Sequence, residues 1–215
     1  MARPRVHDDN LRSQLLDHAG RMVAERGMGA LSLRALAAEA GTSTTAVYSL
    51  FGGKPALFAA LFVESFTSFG AAQQAVPVSG DTVTDLLGLG HAYWAWARRN
   101  PHLYAVMFGQ ALGGFVCTPA EAATAEATIG PLAAVVRTGV EAGVLHGDPM
   151  TITFAIWAAV HGVVSLVMAD RGPADEHIRT HLFEATARAV VRGWLTDPAT
   201  PGVQDEGFAA GAIVA

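Results

Sequence analysis

Cysteine, long apolar runs and charged residues are all scarce in this 215-residue chain. Cys117 is the only cysteine, so no internal disulfide can form, as is usual for a protein of a reducing cytoplasm. No stretch reaches the roughly 18 uninterrupted apolar residues that a membrane-spanning helix needs. The start MARPRVHDDN lacks the apolar segment of a secretory signal. We therefore expect a cytoplasmic protein with no membrane partner.

Motifs for catalysis and for cofactor binding are lacking as well. The chain has no GxSxG nucleophile elbow, and Gly88-Leu89-Gly90 is not followed by the third glycine of a phosphate-binding loop. His177 and His181 have the i, i+4 spacing that can bind a metal, but no third ligand is identifiable near them. The sequence thus predicts no catalytic residue, no metal site and no cofactor.

Hydrophobic residues are abundant and charge is unevenly distributed. The chain is 51% hydrophobic and 15% charged, which suffices for a sizeable core and for apolar surface that a second subunit can cover. Residues 1–55 contain seven Lys or Arg and five acids, a balance of +2, whereas the remainder contains seven and fourteen, a balance of −7. This asymmetry is typical of a nucleic-acid-binding domain joined to an acidic domain. Because the basic excess is small, tight DNA binding is expected to need a dimer.

The segment 31–57 contains the start and stop signals of two short helices. Ser32 is a favoured N-cap residue, and the apolar residues after it return at helical spacing. Gly41 stands where a helix commonly ends in the left-handed conformation. Thr42 and Ser43 can then cap a second helix over residues 44–50.

The two faces of this second helix differ in chemistry. The apolar face, which is expected to pack on the first helix, comprises Ala46, Val47 and Leu50. The other face carries short hydrogen-bonding side chains, namely Thr44, Thr45, Tyr48 and Ser49. Such a face can enter a DNA major groove and approach base edges and phosphates. An amphipathic hairpin that merely packs is the alternative interpretation, but it does not explain this order of caps, glycine and polar residues.

Over roughly residues 11–62 the chain resembles the DNA-binding domain of TetR-family transcriptional regulators. The residues that carry the resemblance are Gly27, Ser32, the run Ala37-Ala38-Glu39-Ala40-Gly41, Tyr48, Phe51 and Lys54. The resemblance implies that Tyr48 and Lys54 bind phosphates and that Thr44 and Thr45 face bases. The family often has lysine at the position of Thr44 and histidine at that of Leu50, so the operator sequence cannot be carried over. The candidate DNA-binding residues are Ser32, Arg34, Thr42, Ser43, Thr44, Thr45, Tyr48 and Lys54.

Turn signals divide the rest of the chain into helical blocks without strand-like alternation. We expect an all-α fold of about nine helices: a three-helix DNA-binding head with a helix-turn-helix (1–55), a larger helical domain for effector binding and dimerisation (56–196), and a disordered tail (197–215). One block, opened by Thr118-Pro119, is expected to form a single helix to about Glu141. Trp157, His161 and Gly162 are similar to the Trp-His-Gly type of TetR-family C-terminal domain.

The last two helical blocks present apolar faces that could close a four-helix bundle with a second copy. A helix-turn-helix that reads a palindromic site needs a two-fold partner, so we predict a homodimer. The residues predicted for its interface are Ile156, Val160, Val163, Val164, Val167, Leu182 and Ala189. The alternative is that these faces are buried within one subunit.

Aromatic and Met side chains with a few polar groups indicate a small-molecule cavity between helices. The candidate effector-binding residues are Trp94, Tyr104, Met107, Phe108, Trp157 and His161. The same residue types also form ordinary helical cores, and a buried His161 has to find a hydrogen-bond partner whether or not it contacts an effector.

Two functions are consistent with these features. The first is a repressor that binds double-stranded operator DNA and is released by an unknown small-molecule effector. The alternative is a small-molecule-binding or scaffolding helical protein without operator-specific DNA binding. Ser32, Tyr48 and Lys54 favour the first, because three retained phosphate-binding residues are hard to explain in a protein that does not bind DNA.

Overall fold

The protein is all-α, as the sequence predicts. The computed structural model describes residues 5–27, 29–108 and 116–196, and in these ranges it contains ten helices and no β-strand. The helices are α1 (Arg5–Arg26), α2 (Leu33–Glu39), α3 (Thr44–Phe51), α4 (Lys54–Gln74), α5 (Thr82–Arg99), α6 (Pro101–Phe108), α7 (Pro119–Ala127), α8 (Gly130–Glu141), α9 (Pro149–Met168) and α10 (Glu176–Arg192). The expected tail from residue 197 lies outside the described residues.

The structure has one helix more than expected, because the block from Thr118 to Glu141 forms two helices, α7 and α8. Thr118 caps α7 as predicted, with a reciprocal capping box in which Glu121 accepts from the Thr118 backbone N–H at 2.7 Å. Pro131 is the reason for the break, because in a continuous helix its ring would clash with the carbonyl of residue 127. At the second position of α8 the same proline is tolerated.

The described residues form two compact units. The first comprises Met1–Pro77 and His91–Pro131, and the second comprises Val78–Gly90 and Leu132–Ala215. Helices α4, α6 and α7 therefore share a unit with the three head helices α1–α3. The two units are defined by how densely their residues pack together. The expected boundary after residue 55 instead divides DNA binding from effector binding, so it stays a prediction.

The first unit is built on the buried face of α1. That face contacts α2, α3, α4 and α6, and its nearly inaccessible side chains are Leu15, Leu16, Ala19, Met22 and Val23. Leu57 and Leu61 of α4 are fully buried in the same unit. The short α2 and α3 are thus held by packing on longer helices rather than by their own propensity.

The second unit is organised around α9. Its core combines the start of α5 with α8, α9 and α10, through Leu86, Val136, Leu145, Ile152, Ile156 and Val191. Asp148 and Asp175 cap α9 and α10 by accepting backbone N–H groups at 2.7 Å. After α10, the Thr196 backbone N–H donates to the Val144 carbonyl at 2.9 Å, which ties the end of the described chain to the loop before α9.

Candidate DNA-binding site

Both short helices begin with the serine caps that the sequence predicts. The Ser32 hydroxyl oxygen accepts from the Ala35 backbone N–H at 3.1 Å, and the Ser43 hydroxyl oxygen accepts from the Ala46 N–H at the same distance. Between them, Gly41 has a φ of +63°, a conformation that costs glycine little. The result is two capped helices joined by a tight turn, which is the helix-turn-helix arrangement.

Helix α3 has a buried side and an exposed side, with Thr44, Ala46 and Leu50 between them. Val47 is fully buried and Phe51 nearly so, while Ala46 and Leu50 are half-buried. On the other face, Thr45 and Ser49 are exposed, Thr44 is half-buried, and Tyr48 keeps 54% of its surface accessible. An exposed tyrosine between exposed hydroxyl side chains can lie against phosphates and base edges.

The remaining candidate DNA-binding residues surround α3. Arg34 is exposed on α2, Thr42 is half-buried in the turn, and Lys54 is the first residue of α4. The Lys54 ammonium lies 5.5 Å from the centroid of the Phe58 ring, a cation–π contact that directs the lysine stem along its own helix. A cation is thereby held at a helix N-terminus, where the backbone N–H groups also favour an anion.

Two arginines that the sequence interpretation did not assign support these helices. The Arg12 guanidinium lies 5.6 Å from the Phe51 ring centroid at the end of α3, and Arg26 of α1 pairs with Glu39 of α2 at 2.9 Å. The sequence contains no local signal for either contact, because the partners are 39 and 13 positions apart. Both contacts fix the short helices to α1.

The candidate effector residues are divided between the two units. Trp94, Tyr104, Met107 and Phe108 belong to the first unit, and Trp157 and His161 belong to the second. Trp157 and His161 stack with their ring centroids 5.4 Å apart, and the Ser165 hydroxyl lies 3.2 Å from His161 Nε2. Burial lowers the pKa of His161, so its neutral form is favoured.

Aromatic rings in the first unit form a connected cluster that the sequence identified only in part. We call it the aromatic cluster; its members are Phe62, Phe66 and Phe69 of α4, Tyr93 and Trp96 of α5, and Tyr104 and Phe108 of α6. Consecutive ring centroids lie between 4.7 and 6.4 Å apart. Burial beside Tyr104 raises the pKa of Tyr93, which keeps this phenol neutral. The i, i+4 and i+7 spacing of the three phenylalanines places them on one side of α4, and this spacing is the sequence signal that α4 belongs to the cluster.

Five of the seven residues predicted for the dimer interface are buried within a single chain. Each keeps at most 8% of its surface exposed; they are Ile156, Val160, Val163, Val164 and Val167. Side chains with so little accessible area can offer a second subunit only small contacts, and their place in the interface stays a prediction. Leu182 is half-buried and Ala189 exposed, and both stay candidates for the interface.

Two further features of the described residues concern metal binding and membrane insertion. Among the described residues, no group of three or more His, Cys, Asp or Glu side chains could hold a metal ion. Helices α4 and α9 are long and apolar enough to cross a membrane, a test that core helices of soluble proteins also pass. In each helix 39% of the apolar stretch is buried within the chain.

Two family models match this chain, and together they include most of both units. Residues 15–61 match the model described as bacterial regulatory proteins of the tetR family. Residues 86–190 match the model described as a tetracyclin repressor-like C-terminal domain.

Relatives of known name or structure agree with the two models. The HTH-type transcriptional regulator Rv1816 of Mycobacterium tuberculosis is 26% identical over 196 residues, covering 76% of this chain and 80% of the relative. The crystal structure of the regulatory protein SCO4313 has a TM-score of 0.73 at 25% identity, with 89% of this chain and all of that chain covered. PfmR, a TetR-family regulator from Thermus thermophilus, has the same fold with a TM-score of 0.67 at 21% identity over 83% of this chain and 97% of its own.

Proposed function

We propose that this chain, which belongs to the TetR family of DNA-binding transcriptional regulators, is a cytoplasmic repressor that a small-molecule effector releases from its operator. The observation that carries the proposal is α3, which exposes Thr45, Tyr48 and Ser49 beside the Lys54 cation. This arrangement offers base-reading groups and phosphate-binding groups on one small surface.

The DNA contacts divide into two classes. Thr44 and Thr45 face the base edges in the major groove, while Tyr48 and Lys54 bind the phosphates on either side. Ser32 and Ser43 use their oxygens as acceptors for helix caps, which leaves their hydroxyl hydrogens available to donate to phosphate oxygens. Arg34 and Thr42 add further backbone contacts.

A second copy of the chain covers the exposed apolar surface of α9 and α10. On α9, Phe154 and Leu166 each keep 48% of their surface exposed, and a Cβ at Gly162 would meet nothing within 4 Å. On α10, Ile178 is 54% exposed and is followed at helical spacing by Leu182, Ala185 and Ala189. Ala158, one turn after Phe154 on α9, is exposed as well, and we call all these residues the dimer face. Two such faces form a four-helix bundle, and the two-fold axis presents two recognition helices to a palindrome.

The effector binds at the aromatic cluster, which connects α4, α5 and α6. Phe66 of α4 contacts Phe108 of α6, and Phe69 contacts both Tyr93 and Trp96 of α5. Because these rings already pack together, an uncharged, weakly polar molecule has to separate them in order to enter. Any such movement displaces α4, whose first residue is Lys54. Trp157 and His161 of the second unit stay candidates for effector contacts.

The proposal is tested by selecting operator DNA from the genome and then screening for release. The unaltered protein should retain a short, pseudo-palindromic DNA fragment. Binding of the protein to this fragment should lower transcription from the promoter that contains it. Compounds that quench tryptophan fluorescence should release that fragment, and Phe108→Ala should weaken their binding. If the Tyr48→Ala variant retains the fragment as well as the unaltered protein does, the proposed placement of α3 on the DNA is wrong.

The alternative function predicts a different outcome of the same experiment. A helical binding or scaffolding protein without operator specificity would retain no enriched sequence, although fluorescence could still report a bound compound. The exposed, capped recognition helix favours the regulator, because a chain that does not read DNA has no need to keep Tyr48 accessible.

A further inference from the structure

Helix α6 is joined to α1 by a polar contact within the first unit. His102 Nε2 of α6 lies 3.0 Å from Asp17 Oδ1 of α1, and Asp17 also pairs with Arg21 one turn further along the same helix. The His102 side chain keeps only 16% of its surface exposed. The Asp17 carboxylate is 40% exposed, so the hydrogen bond is shielded from water on the His102 side only.

The close approach of the two helices depends on Gly20. A Cβ at this position would stand 2.9 Å from His102 Cδ2, closer than real Cβ atoms come to a neighbour. Leu61 of α4 and Leu103 of α6 would each lie 3.5 Å from the same Cβ. The imidazole ring therefore lies against the bare backbone of α1, with the carboxylate of Asp17 beside it. We call Asp17, Gly20, Arg21 and His102 the α1–α6 clasp.

The clasp lies between the two functional parts of the first unit. On α6, Tyr104 and Phe108 follow His102 and belong to the aromatic cluster. On α1, the residues that flank Asp17 and Gly20 pack into the core shared with α2 and α3. A displacement of α6 at the aromatic cluster therefore changes the contact that holds α1.

We propose that His102, through Asp17, is a positioning residue that holds the recognition helix in the register required by the operator. This inference rests on the proposed DNA-binding function. His102 contacts no base or phosphate in this account, and its effect reaches the DNA through α1. Losing the clasp thus lowers affinity for the correct operator more than affinity for other DNA.

The test compares variants in binding to the selected operator and to a scrambled duplex of the same length. His102→Leu and Asp17→Ala should each weaken operator binding at least fivefold, which is the lower end of usual coupling effects, with scrambled DNA bound within twofold of the unaltered protein. The double variant should bind the operator no more weakly than the weaker of the two single variants, because both substitutions remove the same contact. His102→Gln, which keeps an N–H donor, should restore binding to within twofold.

Asp9→Ala is the matched control, since Asp9 is exposed on the same helix and the substitution removes the same charge. Heat unfolding establishes that each variant is folded at the assay temperature; if His102→Leu is not, His102→Asn, whose side chain is too short for the carboxylate, replaces it. Folded variants that bind the operator normally, or that lose operator and scrambled DNA equally, would overturn the clasp. An unaltered protein that retains no operator would overturn the DNA-binding function itself, a result visible before any variant is made.

Discussion

At the residue scale, Lys54 is the clearest electrostatic contact to DNA in this account. Lys54→Gln should weaken operator binding and reduce the slope of log affinity against log salt concentration by about 1, because one phosphate contact releases about one counterion. Mobility shifts over a salt series measure both quantities. Arg137→Gln is the matched control, since Arg137 is exposed on α8 and its replacement removes the same charge. An unchanged slope for Lys54→Gln would show that the lysine does not bind a phosphate.

Two half-buried histidines give the protein a residue-scale dependence on pH. Burial lowers the pKa of both His102 and His161 from the ordinary value of 6.5, so the unfolded chain binds these protons more tightly than the folded one. Above about pH 6.5 the two histidines are neutral in the folded and in the unfolded chain, so their titration does not affect stability. As the pH falls from there toward their lowered pKa values in the folded chain, the free energy of unfolding decreases.

Replacing one of these histidines should reduce the acid sensitivity. His161→Gln should lose less stability between about pH 7 and pH 5 than the unaltered protein, in urea unfolding at a series of pH values. His181→Gln, at an exposed position of α10, is the control and should follow the unaltered protein. If both variants lose stability in parallel with the unaltered protein, burial does not control the protonation of His161.

At the element scale, α3 depends on its serine cap. Ser43→Ala should lower the free energy of unfolding by about 1 kcal/mol, because the Ala46 N–H loses its acceptor. Ser49→Ala, an exposed serine of the same helix, should change stability by less than about 0.5 kcal/mol. Heat or urea unfolding compares the two. Equal effects would mean that the cap contributes nothing measurable.

Local signals made the helix-turn-helix predictable, whereas long-range packing did not. Ser32, Gly41 and Ser43 act within a few residues of their own position, so the sequence contains the whole argument for α2 and α3. Pro131, which separates α7 from α8, is an equally local signal. On α9, however, apolar and small residues occupy most of the circumference, and periodicity alone cannot tell the face that packs inside the chain from the face that a partner covers.

At the scale of the whole molecule, the dimer face and the core of α9 respond differently to a charge. Leu166→Asp places a carboxylate on the exposed dimer face, so it should give a folded monomer that no longer binds the operator tightly. Val163→Asp places the same group in the core, where an unpaired charge costs several kcal/mol, and it should unfold the second unit. Sedimentation and heat unfolding distinguish these outcomes. A folded Leu166→Asp protein that remains dimeric would locate the interface elsewhere.

The central claim is that a dimer presents two α3 helices to a palindromic DNA site. Selection of bound sequences from a random duplex library, using the full chain, tests it most directly. The account predicts an inverted repeat whose half-sites are centred about 10 base pairs, or a multiple of that, apart, and whose enrichment is lost with Thr45→Ala and Tyr48→Ala together. Enrichment of no sequence, or of a single half-site without its inverted copy, would contradict it.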